Sequence, residues 1–330
     1  MNVTVAGGAA FLVATASVPL LVGFAAGRNL LDVPNLRSWH EVPTPRLGGL
    51  AVIAGAWIGA ALLRPDGAWP LLVAATLIGA VGLVDDLGNL HFGTKAAAQT
   101  LVASSLLLFH PPPVLSDVSG SLEVAVFAAG VFWVVGLSNA FNFMDGIDGI
   151  VGGVALVSVL FLAPLAGAAG AVLPALAGAT AGFLVWNASP AAIFLGDSGS
   201  YFLGFGLATV ALYAAVPPGG WSPLLFVACA LVFTPFLFDT AYTLARRTWT
   251  RKNVFSAHRE HIYQRITPTT ATHRRTSNLY YGASVVSGFA ALLVAGGGAP
   301  ALVGGTVALG CCVALATLPR LLRTGPDGRG

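Results

Sequence analysis

Four side chains of the types that bind metals and phosphates lie within the twelve residues Asn139–Ile150, NAFNFMDGIDGI. They are two carboxamides (Asn139, Asn142) and two carboxylates (Asp145, Asp148), in a chain of which only 9 % of the residues are charged. Because they are three residues apart, Asn142, Asp145 and Asp148 could share one face of a helix. Polar groups at the mouth of a membrane span are costly and usually mark a function. This stretch is therefore our first candidate for an active site.

A second group of carboxylates lies in VDDLGNL, where Asp85 and Asp86 end an apolar run and Lys95 opens the next one. Adjacent carboxylates repel each other, so they are tolerated mainly beside a cation or a hydrogen-bond donor. A carboxylate pair with a nearby lysine suits a divalent metal and a phosphate group. The alternative is a solvated loop with an aspartate at a helix N-terminus.

The segment WNASPAAIFLGDSGS ends in an aspartate among small residues, Asp197, at the start of another apolar run. A carboxylate is a hard oxygen ligand that suits Mg²⁺, which binds one or two carboxylates together with waters and substrate phosphates. The amides and the dipole at the N-terminus of the following helix could receive phosphate oxygens. Alternatively, Asp197 or Ser198 simply caps that helix.

Basic residues cluster in AHREHIYQRI, which contains His258, Arg259 and His261. The HxxH spacing suggests zinc, but no third ligand follows at zinc spacing and no HExxH is present. An anion-binding role fits better, because arginine binds phosphate in a bidentate way. The alternative is a basic loop that only sets the membrane topology.

Two weaker candidates remain. The segment DVPNLRSWHEVPTPRLGG contains Arg37, His40 and Arg46, and its prolines should stiffen it. Asp239 lies inside an apolar run about two helical turns before Arg246. The pattern leaves open whether Asp239 is functional or makes a structural hydrogen bond.

The elements that must position these residues are membrane helices. The chain is 56 % hydrophobic with a mean hydropathy of +0.82, and most of its apolar runs reach the roughly 17–25 residues of a bilayer span. We predict an all-α polytopic membrane protein with ten or eleven transmembrane helices in a single domain, 1–330. Its motif-bearing core is 27–278, followed by C-terminal helices 279–318 and a tail 319–330. The predicted spans are approximately 3–26, 47–64, 69–84, 95–110, 122–138, 150–167, 170–187, 200–216, 222–246, 279–296 and 299–318.

The basic residues predict the orientation of these spans. Odd-numbered loops and the C-terminal tail hold 15 of the 16 lysines and arginines, and the even-numbered loops hold only Arg64. The positive-inside rule then places the N-terminus outside and the tail in the cytoplasm. The polar clusters fall in the odd loops 27–46, 85–94, 139–149, 188–199 and 247–278. The sequence therefore predicts an active-site cleft on the cytoplasmic face.

Taken in order, these motifs resemble the polyprenyl-phosphate N-acetylhexosamine-1-phosphate transferases. That superfamily includes the bacterial enzymes that start O-antigen, common-antigen and teichoic-acid linkage synthesis, and the MurNAc-pentapeptide translocase of peptidoglycan synthesis. The resemblance extends from the first cytoplasmic loop to residue 266. It implies that a lipid phosphate attacks the β-phosphorus of a UDP-linked amino sugar and UMP leaves. Mg²⁺ is the implied cofactor, with Mn²⁺ as an alternative.

The resemblance also assigns roles to individual residues. Asp85 and Asp86 match the paired aspartates, with Asp85 orienting or deprotonating the lipid phosphate, and Lys95 matches a phosphate-binding lysine. Asn142 and Asp197 match positions associated with Mg²⁺. The implied substrate-binding residues are Asp145, Asp148, Asn187 and Phe194 on the nucleotide side, with Phe194 against the uracil ring, and His258, Arg259 and His261 near the pyrophosphate and sugar. We add Arg46 of the first loop to this substrate-binding set.

The departures from the family pattern favour one branch. The loop reads HREH followed by IYQR instead of a triple histidine, and TPRLGG replaces the TPTMGG of the MurNAc-pentapeptide branch. The expected donor is therefore UDP-GlcNAc, another UDP-N-acetylhexosamine or a 6-deoxy relative, as in O-antigen or common-antigen initiation. The expected acceptor is undecaprenyl phosphate in the bacterial plasma membrane. A nucleic-acid partner is not expected, and a homodimer is left open.

Alternative functions predict different patterns. A phospho-MurNAc-pentapeptide transferase is the alternative within the superfamily. A CDP-alcohol phosphotransferase shares only the first half of its DxxDG motif with Asp145–Gly149. A membrane transporter would place polar groups near the middle of the membrane in broken helices, and would show internal repeats. Here the polar groups lie at the ends of the predicted spans.

Overall fold

The protein is a bundle of α-helices. The computed structural model describes residues 2–28, 30–32, 42–65, 67–214, 220–253, 256, 258–270 and 272–322. Arg37 and His40 of the first loop lie outside the described residues, as does the end of the tail. Two short strands, β1 (Leu31–Asp32) and β2 (Thr44–Pro45), pair antiparallel beside the helices.

The helices follow the predicted spans closely. In chain order they are α1 (Val3–Arg28), α2 (Gly48–Leu63), α3 (Trp69–Gly88), α4 (Phe92–Phe109), α5 (Pro113–Ser116), α6 (Ser121–Met144), α7 (Ile150–Leu162), α8 (Leu173–Asn187), α9 (Gly196–Ala214), α10 (Pro223–Leu231), α11 (Thr234–Trp249), α12 (Ile262–Thr270), α13 (His273–Ala295) and α14 (Gly298–Leu321). A 3₁₀ helix, Gly167–Val172, precedes α8. The two weakest predicted breaks, near residues 166–170 and 296–300, are both present.

Six of these segments are long and apolar enough to cross a membrane: α1, α3, α6, the 3₁₀ helix with α8, α13 and α14. The predicted class, an all-α polytopic membrane protein, is therefore confirmed. The count of ten or eleven spans stays a prediction, because α2 and α7 are apolar but shorter.

The predicted span 222–246 is not one continuous helix. The structure divides it into α10 and α11, which together are long and apolar enough for a span but meet at an angle of 83°. Pro235 lies in the first turn of α11, where a residue without an N–H loses no hydrogen bond. In the interior of a continuous helix the same proline would remove a hydrogen bond and clash with the preceding turn, so the helix breaks here. The C-terminal half of the predicted span therefore runs in a new direction toward the histidine-containing loop.

Helix α9 lies at the centre of the bundle. Nearly all of its side chains are buried, and it packs against α3 and α6. Glycines allow these close contacts: a Cβ at Gly82 of α3 would lie 2.4 Å from the Asp197 backbone oxygen, and one at Gly204 would lie 2.8 Å from the Phe141 Cβ. The N-terminus of α9 is therefore surrounded by the ends of its neighbours, which is where the polar motifs meet.

Candidate active site

The carboxylate of Asp86 caps the N-terminus of α9. The Asp197 N–H donates to Asp86 Oδ1 at 3.0 Å, and the Ser198 N–H donates to Oδ2 at 3.1 Å. The first N–H groups of a helix have no partner within it, and a negative charge beside them is favourable. These two amides are therefore already satisfied, and our expectation that they receive phosphate oxygens is wrong. The cap comes from α3, and not from Asp197 or Ser198.

Asp85 and Asp197 share Lys95 as their counter-ion. The Lys95 Nζ lies 2.5 Å from Asp85 Oδ2 and 3.6 Å from Asp197 Oδ2. The two carboxyl groups are also within hydrogen-bonding distance of each other, and Asp85 Oδ1 accepts the Leu90 N–H at 2.6 Å. Two carboxylates in contact repel each other, so this arrangement requires a cation between them. The structure thus brings the predicted pair from α3 and α9 together with the predicted lysine of α4.

The carboxamide of Asn142 completes this group. It contacts the Asp197 carboxylate and donates to the Ser200 Oγ at 3.2 Å. Ser200 was not singled out from the sequence, although it lies within the GDSGS motif. Helix α6 thus delivers an amide to the same point that α3, α4 and α9 reach with charged groups.

This donor set fits Mg²⁺. Within the described part of the chain, no three His, Cys, Asp or Glu residues lie close enough together to hold a metal ion. His258 and His261 therefore have no third zinc ligand among those residues. Mg²⁺ needs only one or two carboxylates, since waters and substrate phosphates supply its other ligands. Asp85, Asp197 and Asn142 provide hard oxygen atoms of that kind, and the position of Lys95 shows that the space between the carboxylates accepts a cation.

The turn after α6 separates residues that we expected on one helical face. Helix α6 ends at Met144, Asp145 is its C-cap, and Gly149 adopts a positive φ of 75° before α7 begins. The expectation that Asn142, Asp145 and Asp148 share a face is therefore wrong, because the helix stops between them.

Asp145 instead lies beside the N-terminus of α9, close to the Gly196 N–H. Burial, and then the nearby charge of Asp86, raises the pKa of Asp145 to about 7, while the charge of Arg46 opposes the shift. Two carboxylates from different segments thus lie at the N-terminus of α9, and Asp86 binds two of its first amides. The Asp145 carboxyl is partly protonated near pH 7.

Asp148 and Asn187 hold the neighbouring turns. Asp148 Oδ1 lies 3.2 Å from the His273 Nδ1, and Oδ2 accepts the Ala191 N–H at 3.3 Å. Asn187 accepts the Gly149 N–H and donates to the Ile193 carbonyl. Burial acts to raise the pKa of Asp148, but His273 and the other hydrogen bonds outweigh it, so the pKa is lowered. The structure therefore shows both side chains bridging loops, and their assigned contact with a nucleotide stays a prediction.

Phe194 and Arg46 lie where the first loop meets the segment before α9. The Phe194 N–H donates to the Pro45 carbonyl at 2.8 Å, and its own carbonyl accepts the Gly48 N–H at 2.9 Å. The Arg46 guanidinium bonds Asp32 Oδ2 at 2.6 Å, with about half of the side chain exposed. The backbone pairing explains how β2 and α2 reach the site.

The histidine-containing loop packs beside the end of α6. The rings of His258 and His261 stack with centroids 5.1 Å apart, and the Phe143 ring lies 6.1 Å from that of His261. The Tyr263 Oη donates to the Phe143 carbonyl at 3.2 Å. Arg259 is exposed in the same loop. These contacts bring the basic motif against Phe143 and Gly146, at the end of α6, and sequence reasoning did not identify Tyr263 as the link.

Burial lowers the pKa of His258 to about 4, and the charges of His261 and Arg247 act in the same direction. The imidazole of His258 is therefore neutral near pH 7. It can donate or accept one hydrogen bond, but it does not add a positive charge to the loop.

Comparison with known proteins identifies the family. The profile of glycosyl transferase family 4 matches residues 68–215, from α3 to α9. A decaprenyl-phosphate N-acetylglucosaminephosphotransferase of Mycolicibacterium smegmatis is 33 % identical, over 89 % of this chain and 82 % of the relative. The chain belongs to glycosyl transferase family 4. The matched segment contains the cluster of Asp85, Lys95, Asn142 and Asp197, and the histidine-containing loop follows it.

Two further relatives are undecaprenyl-phosphate sugar-phosphate transferases by name. A probable undecaprenyl-phosphate N-acetylglucosaminyl 1-phosphate transferase of Bacillus subtilis is 26 % identical over 82 % of this chain and 80 % of the relative. An undecaprenyl-phosphate alpha-N-acetylglucosaminyl 1-phosphate transferase of Thermotoga maritima is 31 % identical over 73 % and 75 %. The protein is thus a membrane transferase, as the order of its motifs predicted.

Proposed function

We propose that this protein transfers N-acetylglucosamine 1-phosphate from UDP-GlcNAc to undecaprenyl phosphate and releases UMP. The observation that carries the proposal is the cluster in which Lys95 lies between Asp85 and Asp197 beside Asn142. The names of the relatives support both the sugar phosphate and the polyprenyl phosphate.

The position of the cluster suits the two substrates. It lies where α3 and α6 end and where α4 and α9 begin, at one end of an apolar bundle. A polyprenyl phosphate keeps its tail among lipids and its phosphate at the membrane surface, whereas a nucleotide sugar arrives from water. The end of the bundle is where these two groups can meet. A transporter would instead need polar groups near mid-membrane.

The residues of the cluster favour phosphoryl transfer by positioning and charge neutralisation. The second pKa of a phosphate monoester is about 6, so the lipid phosphate is largely a dianion at pH 7 and needs little help from a base. We assign Asp85 to orienting that phosphate and Lys95 to neutralising it. The phosphate oxygen forms a bond to the β-phosphorus, the bond from that phosphorus to the bridging oxygen breaks, and UMP leaves with the electron pair.

Asn142 and Asp197 would hold Mg²⁺, which would neutralise the charge of the diphosphate. His258, Arg259 and His261 would bind the diphosphate and sugar from the other side, and Arg46 would approach from the first loop. Asp145, Asp148, Asn187 and Phe194 would form the nucleotide side. Asp86, which was grouped with Asp85 in the sequence, would hold α9 in place through the amides of Asp197 and Ser198 and so position Asp197 for the reaction.

The test is UMP release by purified protein given undecaprenyl phosphate, Mg²⁺ and a panel of UDP-GlcNAc, UDP-GalNAc, their 6-deoxy forms and UDP-MurNAc-pentapeptide. Asp85→Asn and Asp197→Asn should each lower the rate at least about 100-fold, as expected for groups that stabilise transition-state charge. Asp117→Asn is the matched control, because Asp117 is an exposed aspartate in the loop between α4 and α6, at the far end of both helices.

Three results would contradict the proposal. They are full activity in excess EDTA, undiminished activity of both variants, and release of UMP only from UDP-MurNAc-pentapeptide. The last result would assign the protein to the peptidoglycan branch. Retention of both variants as monodisperse protein in detergent would separate a catalytic loss from misfolding.

We also propose that the cluster faces the cytoplasm of a bacterial plasma membrane, because 15 of the 16 basic residues lie in loops on that side. Green fluorescent protein fused after Gly330 should then fluoresce, and alkaline phosphatase fused there should be inactive. The opposite pair of results would reverse the orientation.

A further inference from the structure

Asp239 is a fully buried carboxylate in α11 that binds the histidine-containing loop. Its side chain has no solvent exposure. Oδ1 accepts the Ile262 N–H at 2.8 Å and lies 3.1 Å from the His261 Nδ1, and Oδ2 accepts the Tyr263 N–H at 3.1 Å and the Tyr280 hydroxyl at 2.5 Å. A buried charge is tolerated only when hydrogen bonds replace its hydration. The buried charge of Asp239 is therefore stable only because the surrounding donors form hydrogen bonds to it.

These contacts fix the protonation pattern of the His261 ring. An ionised carboxylate only accepts hydrogen bonds, so the ring nitrogen that faces it must carry a proton. Nδ1 is therefore the protonated nitrogen beside Asp239, and Nε2 lies on the other edge of the ring. The bond made by one ring nitrogen determines what the other can do.

The Nε2 atom of His261 remains available. Within the described residues it has no hydrogen-bond partner, and it is not completely buried. The ring lies against Phe143 at the end of α6 and stacks on His258. The Tyr263 hydroxyl of the same segment lies against Gly146, the residue after Asp145. The free nitrogen of an otherwise buried ring thus lies beside the end of α6 and the turn that carries Asp145.

A second contact to α11 holds the start of the same loop. The Arg247 guanidinium, about two turns beyond Asp239, donates to the Asn253 carbonyl at 2.5 Å and to Glu260 Oε1 at 2.6 Å. Glu260 immediately precedes His261. The loop is therefore fixed to α11 at both ends, and the position of His261 follows from that helix.

We propose that Asp239 is a positioning residue that holds the His261 ring with Nδ1–H toward α11 and Nε2 toward the diphosphate and sugar of the donor. This inference rests on the proposed function for the identity of the donor. The competing explanation is that Asp239 only stabilises the fold, by capping α12 through the amides of Ile262 and Tyr263. The two explanations differ in whether the effect of Asp239 on activity passes through His261.

A double-mutant cycle with Asp239→Asn and His261→Asn separates them. We expect Asp239→Asn to lower kcat for UMP release by about 10- to 100-fold, the range found when a partner that orients a ligating histidine is removed. In the His261→Asn background the same change should have no further effect on kcat. Equal losses in both backgrounds would overturn the inference, as would wild-type kcat in Asp239→Asn.

Two further variants, together with His261→Asn, control for stability. Tyr280→Phe removes another donor to the same carboxylate without touching His261, and should keep nearly wild-type kcat. His261→Asn can still donate to Asp239 and should keep the wild-type melting temperature, with a lowered kcat that remains measurable for the cycle. His261→Gln places its amide farther out and should lose that hydrogen bond and melt lower. A Tyr280→Phe variant as inactive as Asp239→Asn would favour the purely structural explanation.

An independent measurement does not need activity. In ¹⁵N spectra of the histidine rings, assigned through His261→Asn, the Nδ1 of His261 should be protonated in the wild-type protein and should lose that preference in Asp239→Asn. An unprotonated Nδ1 in the wild-type protein would overturn the inference even in an active enzyme. If no UDP-sugar gives UMP but Nδ1 is protonated, the proposed function fails and the positioning of the ring stands.

Discussion

Asp86→Asn should destabilise the protein more than it impairs the chemistry. In the wild-type protein the two oxygens of Asp86 bind the amides of Asp197 and Ser198, one each. Asparagine keeps one acceptor oxygen but turns an NH₂ group toward the other N–H. The variant therefore loses one hydrogen bond and the negative charge at the N-terminus of α9.

The expected loss follows from these two contributions. A hydrogen bond to a charged group contributes about 1.5–3 kcal/mol, and a charge at a helix terminus contributes about 0.3–1 kcal/mol. Burial opposes them, because it raises the pKa of Asp86 to about 6 and so favours an uncharged side chain at this position. The net loss in the free energy of unfolding should therefore be about 1–2 kcal/mol. At about 2 °C per kcal/mol for a long chain, the melting temperature should fall by roughly 2–4 °C.

The assay compares Asp86→Asn with Asp85→Asn, the neighbouring aspartate. Asp85→Asn retains an acceptor for the Leu90 N–H and relieves the repulsion with Asp197, but it loses the ion pair with Lys95. Its melting temperature should therefore fall by no more than that of Asp86→Asn, while UMP release is lost. Asp86→Asn should melt lower and retain measurable UMP release. If Asp86→Asn melts like the wild type and is as inactive as Asp85→Asn, then Asp86 acts on the reaction and does not stabilise α9.

Two further predictions concern packing and pH. Gly82→Ala should cost about 1–3 kcal/mol and impair UMP release, because its Cβ would meet the Asp197 backbone at 2.4 Å, whereas Gly136→Ala, with no atom within 4 Å of its Cβ, should be silent in both assays. For His258, burial and the charge of His261 lower the folded-state pKa to about 4, below the roughly 6.5 of an unfolded histidine. The unfolded chain then binds the extra proton, so stability should fall as the pH drops from about 6.5 to 4. A His258→Gln variant should show a flatter pH dependence in thermal melts, and an unchanged slope would contradict this pKa.

Much of the candidate site could be predicted from residue types and order. In an apolar chain, Asp85, Lys95, Asn142 and Asp197 stand out because each is a costly residue at the end of a span. All four lie in or beside odd-numbered loops, which predicts that they share one end of the bundle. Composition and spacing suffice for this because a membrane helix has only two ends.

The roles within the cluster depended on distances that the sequence does not contain. Asp85 and Asp86 are adjacent in the chain, yet one pairs with Lys95 and the other caps α9. A helix places consecutive side chains about 100° apart, so neighbours in sequence face different partners. Asp239 shows the same limit, since its partners His261 and Tyr280 come from segments that the 83° bend brings within reach.

The charge balance of the cluster argues that the donor binds together with a cation. Asp85, Asp86, Asp145 and Asp197 lie close together, and Lys95 supplies the direct cationic contact, since Arg46 is itself paired with Asp32. Burial raises the pKa of Asp197 and raises that of Asp145 to about 7, but Asp85 and Asp86 together still outweigh Lys95. The cluster therefore carries net negative charge and should repel a diphosphate. Binding of UDP-GlcNAc, measured by isothermal titration calorimetry, should therefore weaken at least about tenfold without Mg²⁺ and recover in part in Asp85→Asn, because at an effective dielectric constant of about 20 one unit charge a few ångströms away contributes several kcal/mol. Equal affinity with and without Mg²⁺ would mean that the diphosphate binds away from these carboxylates, beside the histidine-containing loop alone.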